Sequence, residues 1–153
     1  MKYARAFEFF CRHFVEWSWL QLDDAKASDP RPVYASAFVI SVRGLWFMLT
    51  AGHVFGDIEI IKARGGKILN SRLADSWAAA NPSETIPFDF EGAAKICLGD
   101  EDSLDCAIIP LRQYYQNLMR VEPVVEQGWQ TGLPDSFDAY LMVGIPRASH
   151  EHI

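Results

Sequence analysis

His53 and Asp105 are the two residues of this chain whose types and settings best suit acid–base chemistry. His53 lies in the run Leu49-Thr50-Ala51-Gly52-His53-Val54, at the end of a long apolar stretch. An imidazole titrates near neutrality, so it can take a proton from a reacting group and return it. To do so it needs a partner that fixes which ring nitrogen carries the proton and how the ring is turned. Asp105 follows 52 residues later, in Leu104-Asp105-Cys106-Ala107-Ile108-Ile109-Pro110-Leu111. A carboxylate at the mouth of an otherwise apolar strand is costly to bury unless donors meet it. A His53 ring N–H and backbone N–H groups of the Gly52–His53 corner are the donors expected there.

The elements that must position this pair read mostly as short strands. Ser36–Val42 and Leu45–Thr50 predict a hairpin around Arg43-Gly44, which delivers His53 to a corner. Asp57–Ala63 alternates weakly and is rich in isoleucine. Arg64-Gly65-Gly66-Lys67 reads as a turn, and Ile68–Leu73 returns as a strand. Ala74 to Ser83 reads as a surface connection. Thr85–Phe90, Ala94–Leu98 and Leu104–Leu111 are further strand candidates. Roughly six strands between Ser36 and Leu111 are enough to close one small barrel. Arg112 to Arg120 is a polar connector, after which Val121–Val125 and Tyr140–Ile145 resume β structure.

Upstream, residues 3 to 20 predict a helix. Tyr3, Phe7, Phe10, Phe14, Trp17 and Leu20 recur at spacings of three and four, opposite Lys2, Arg5, Glu8, Arg12 and Glu16. Such a helix packs on the body of the protein, or else docks a partner or a membrane surface. Asp23 to Pro32 is a loop, with Pro30 and Pro32 barring a helix.

The Thr50-Ala51-Gly52-His53 corner, the Asp105–Leu111 run and Tyr140-Leu141-Met142-Val143-Gly144-Ile145-Pro146 occur in one order along the chain. Together with Ser36-Ala37-Phe38-Val39 they resemble the trypsin-like (chymotrypsin-fold) serine proteases. Ala35 and Ala37 stand where that family usually carries glycines, and Val54 stands where many secreted animal trypsins carry a disulfide cysteine. The resemblance implies an all-β, double-barrel fold with an N-terminal helix, the first barrel complete and the second incomplete. It divides the chain into residues 1–32 (helix and Pro-containing loop), 33–112 (first barrel, carrying His53 and Asp105) and 113–153 (connector and first strands of a truncated second barrel). It implies a serine endopeptidase in which His53 is general base and then general acid, with Asp105 orienting it. No cofactor and no metal are implied.

The third member of that triad is not found. The family's nucleophile lies in a Gly-x-Ser-Gly-Gly loop, and the 153 residues contain none. Ser103 lies upstream of the aspartate without following glycines. Ser136 and Ser149 also lack such a cradle. The expectation is therefore a protease segment that is truncated before its nucleophile and inactive alone. One alternative is a protease-like module that binds a protein without catalysis. A further alternative is an unrelated small β-barrel whose histidine is structural. An open second barrel would ask for a partner to cover it.

Composition narrows the partners. Half the residues are hydrophobic and 13% aromatic, enough for a packed core. A formal charge of -6 leaves no basic stripe for phosphates, which argues mildly against nucleic acid, and a protein or peptide as substrate or partner is what the protease resemblance implies. No apolar run reaches the roughly 20 residues of a membrane span. Polar residues break up the N-terminal stretch, so it does not read as a signal peptide, and a cytoplasmic protein is expected. Cys11, Cys97 and Cys106 have no framework spacing and read as buried small hydrophobes, Cys106 as a core residue pointing away from Asp105. His13 reads as a surface or packing residue of the N-terminal helix. His150-Glu151-His152 reads as a solvated end rather than a metal site. Trp77 and Trp129 lie in connecting regions, where lining a groove and ordinary packing explain them equally well.

Overall fold

The computed structural model describes residues 10–75, 85–98 and 105–128. Ser103, Ser136, Ser149, Trp77, Trp129, the Tyr140–Pro146 run and His150-Glu151-His152 lie outside the described residues. The architecture is predominantly antiparallel β. Among the described residues eight strands form one sheet: β1 (Phe14–Leu22), β2 (Arg31–Val42), β3 (Leu45–Thr50), β4 (Lys67–Ala74), β5 (Ile86–Pro87), β6 (Ile96–Leu98), β7 (Cys106–Leu111) and β8 (Val124–Val125). Their order is β5-β4-β1-β2-β3-β7-β6, and β8 pairs with β2 in parallel. Helices α1 (Gly52–Ala63) and α2 (Gln113–Leu118) accompany the sheet.

The predicted hairpin is present. Val42 pairs with Leu45 across Arg43-Gly44, and both turn residues have positive φ, +52° and +79°. That is the primed two-residue turn whose twist matches its strands.

The predicted helix over residues 3 to 20 is overturned from Phe14 onward, because that segment is strand β1. Val15, Trp17, Trp19 and Gln21 are buried in strict alternation, whereas Phe14, Glu16, Ser18 and Leu20 are half-buried. In so aromatic a segment, large residues stand at both period-two and helical positions. Strand partners on both sides decided between them: Trp17 lies opposite Ala35 on β2 and Leu73 on β4. Between β1 and β4, Asn70 and Ser71 together oppose Trp19, with Asn70 at φ +53°. This β-bulge bends the sheet. His13 accordingly sits in a turn before β1, its Nδ1 2.5 Å from the Glu122 carbonyl oxygen.

Asp57–Ala63, read as strand-like, instead belongs to α1. Phe55 and Ile58 point into the core one turn apart. The helix ends in a Schellman motif. Gly65 N–H donates to the Lys62 carbonyl and Gly66 N–H to that of Ile61, both at 2.9 Å, with Gly65 at φ +79°. Residues 113–118, within the stretch read as a polar connector, form the short helix α2, whose Tyr115 is buried.

No ladder joins β5 to β6 among the described residues, so the expected closed first barrel is replaced by an open sheet. The sheet is nevertheless curled. Helix α1 touches β4 near one end of the strand order and both β7 and β6 at the other. Trp17, Phe55, Phe88 and Phe90 fill the space between, with ring centroids 4.8 to 6.5 Å apart. The expected boundaries also shift. β1 is integral to the sheet, the boundary at residue 32 would cut β2, and β8 joins the same sheet.

Buried Asp75, at the end of β4, accepts from the backbone N–H groups of Arg120 and Val121 and so pins the chain after α2 to the sheet. The strand assignment of β1 has a direct test. Trp17→Ala should cost about 3–5 kcal/mol in urea unfolding, while Ser18→Ala should stay within about 0.5 kcal/mol.

Candidate acid–base site

The structure brings His53 and Asp105 together. β3 ends at Thr50, whose Oγ1 donates to the Ser36 carbonyl across the hairpin at 2.9 Å. Ala51 is extended (φ -68°, ψ 138°), and α1 begins at Gly52. β7 runs antiparallel to β3, with Thr50 opposite Ala107, so the residues before β7 arrive beside the start of α1. Asp105 is the residue that precedes β7.

Its carboxylate meets two donors of one residue: Oδ2 lies 2.6 Å from His53 Nδ1 and Oδ1 accepts the His53 backbone N–H at 2.6 Å. Ala51 provides no side-chain cap and the first turn of α1 holds no acidic residue. Asp105 therefore caps this helix from another strand, satisfying an N–H group that has no partner within the helix.

The donors hold the Asp105 carboxyl below the usual carboxylate range. The His53 side-chain bond contributes most, followed by the His53 backbone bond. An ionised carboxylate can only accept, so His53 Nδ1 is the donor of this bond, which in a neutral ring leaves the lone pair on Nε2. That is the tautomer a general base requires.

Gly52 makes the approach possible. A Cβ at this position would stand 3.0 Å from Asp105 Oδ1 and 3.1 Å from the Cys106 nitrogen. The expected burial of the aspartate is not met: the Asp105 side chain is 55% exposed and that of His53 65%.

Cys106 is half-buried on the face opposite Ala107, Ile109 and Leu111. It points away from the core, not into it as expected. Of the other cysteines, Cys11 is buried and Cys97 exposed, and none of the three is in a disulfide. Cys97 thus departs from the buried reading.

His53 stands at the mouth of a groove of about 730 Å³ between α1 and the facing ends of β1 and β2. Here Arg31 forks onto Asp23, Nε and Nη2 each 3.0 Å from a carboxylate oxygen. Buried Gln21 also donates to Asp23 and accepts from Trp19 Nε1 at 3.2 Å. Reading Asp23 to Pro32 as a loop missed this cluster, and Arg31 and Pro32 already belong to β2. The one signal was the pair of opposite charges, Asp23 and Arg31, at its two ends.

Among the described residues, no three His, Cys, Asp or Glu side chains are grouped to hold a metal, and no helix is long and apolar enough to cross a membrane. No protein-family model, no curated protein and no solved structure matches the chain.

Two outcomes test the site. In nitrogen-15 NMR at neutral pH, His53 should carry its proton on Nδ1, and Asp105→Asn or Gly52→Ala should shift the ring toward the Nε2–H tautomer. The sign of the acid dependence follows from the lowered Asp105 value. Its stabilising contribution is complete above the ordinary carboxylate pKa of about 4 and is lost as pH falls through the lower folded-state value. Acid unfolding of Asp105→Asn, followed by circular dichroism, should lack that part of the pH dependence.

Proposed function

We propose that His53 and Asp105 are the base and the orienting acid of a serine-peptidase site of the trypsin-like type. One observation carries the reading: a single carboxylate receives both the ring N–H and the backbone N–H of the same histidine. In this reaction His53 Nε2 takes the proton of an attacking hydroxyl and later returns it to the leaving amine. Asp105 keeps the ring turned and stabilises the imidazolium between those steps. The curled antiparallel sheet, with His53 opening a helix and Asp105 opening β7, supports assignment to the first half of a double-barrel fold.

The nucleophile and its oxyanion donors are not supplied by a Gly-x-Ser-Gly-Gly loop in these 153 residues. The segment alone would therefore be inactive toward peptides.

A second reading is favoured by the capping geometry. Asp105 serves α1 whether or not chemistry occurs, and both side chains of the pair are more than half exposed. On that reading the pair is structural and the chain is a non-catalytic binding module.

Covalent labelling decides between them. On the peptidase reading the 153 residues alone should not label with a biotinylated fluorophosphonate, whereas a gene product that also carries a Gly-x-Ser-Gly-Gly loop should label on that serine, and His53→Ala should reduce the labelling rate at least ~100-fold. Labelling of the 153 residues alone on a serine, no labelling of a product that carries the loop, or labelling indifferent to His53 overturns the peptidase reading.

A further inference from the structure

A second cavity, of about 190 Å³, opens where the segment after β5 passes the end of β7 and the start of α2. Phe88 and Pro110 give it apolar walls, and Asp89, Arg112 and Tyr115 bring polar groups to it. None of these residues touches His53 or Asp105 through a hydrogen bond.

Hydrogen bonds hold its frame in place before anything binds. The Asp89 carboxylate accepts the Gly92 N–H at 2.9 Å and closes a tight turn. Arg112, the residue between β7 and α2, donates from Nη2 to the Gly92 carbonyl at 3.2 Å and fixes that turn from the opposite wall. A cavity framed in this way loses little freedom when it is filled.

Tyr115 is the residue that points to a ligand. It is only 7% exposed, and its ring packs edge-on against Phe88 with centroids 5.4 Å apart. Its hydroxyl oxygen accepts the Asp89 backbone N–H at 3.0 Å. A phenol also has a proton to donate. Among the described residues no acceptor receives that proton. A buried donor without an acceptor is costly, so the hydroxyl calls for an acceptor in the cavity that Tyr115 lines.

Charge and size narrow what carries that acceptor. Asp89 and Arg112 line the cavity with one charge of each sign, so the lining as a whole is neutral. A carboxylate ligand would be repelled by Asp89 as it is attracted by Arg112, whereas a neutral carbonyl meets the hydroxyl without that conflict. A cavity of about 150 Å³ holds a benzene ring, and 190 Å³ leaves room for one small substituent.

We propose that this cavity binds a small neutral aromatic carbonyl compound, its ring held between Phe88 and Pro110 and its carbonyl oxygen accepting the Tyr115 hydroxyl. The site is separate from the acid–base pair, and the proposal does not rest on the peptidase reading.

The experiment follows the methyl signal of Ala93, which lines the cavity, in protein labelled with carbon-13 at its alanine methyls. Acetophenone, ethylbenzene and benzoate are titrated in turn; the first two differ in the acceptor and the third adds a charge. Acetophenone should shift the signal saturably and bind about fivefold more tightly than ethylbenzene, the scale of one net hydrogen bond. Benzoate should bind more weakly than acetophenone. Tyr115→Phe keeps the ring and removes the donor, so it should bring acetophenone to the affinity of ethylbenzene. Ala94→Leu, at an exposed lining position, should block both ligands while leaving Tyr115 in place. Circular dichroism checks that each variant is folded. No saturable shift with acetophenone means that water alone meets the hydroxyl and overturns the proposal. Equal affinity for acetophenone and ethylbenzene, tighter binding of benzoate, a preference that survives Tyr115→Phe, or binding indifferent to Ala94→Leu overturns it as well.

Discussion

The carboxylate of Asp105 is the point on which three parts of the chain depend. It stands directly before β7, caps the start of α1, and holds the ring of His53. A helix that begins at Ala51-Gly52 has no capping side chain of its own, so its first N–H groups must find an acceptor elsewhere. An acceptor that is also negatively charged complements the helix dipole. The same two oxygens cannot serve the backbone and the ring unless α1 approaches closely, and the missing side chain of Gly52 permits that approach.

This local arrangement is held by the curl of the sheet. Because α1 touches β4 as well as β6 and β7, it spans the space that a closing ladder would otherwise occupy. Its buried residues Phe55 and Ile58 join the Trp17 aromatic cluster. Lys62 ties its last turn to Glu91 at 2.8 Å, beside the Phe90 ring. Arg112 reaches the Gly92 carbonyl at 3.2 Å and braces the same turn from β7. The start of α1 is therefore positioned by packing along its whole length, and its other side is left to form the groove.

The Ser36–Thr50 hairpin, the Arg64–Lys67 turn and the strand character of residues 68–73 and 106–111 were legible because their signals are local: a two-residue turn, a pair of adjacent glycines, a short apolar run. Strand β1 was not legible, since its aromatic residues satisfy a helical spacing and an alternating one equally well. Only Ala35 on one side and Leu73 on the other select the alternating face. Helix α1 was obscured in the same way, its isoleucines being compatible with a strand until Phe55 and Ile58 are given a core to face.

Residue type and order alone singled out His53 and Asp105, because few side chains can act as a base near neutrality and few carboxylates open an apolar strand. Sequence also identified the donors that such a carboxylate would need. Tertiary structure decided that the two meet, through the antiparallel register of β3 and β7, and that both remain more than half exposed. It also decided that the barrel stays open among the described residues and that Asp23, Arg31 and Arg64 gather in the groove beside α1. These are contacts between segments distant in the chain. No local pattern encodes them, because their energy exists only once the sheet has curled around α1.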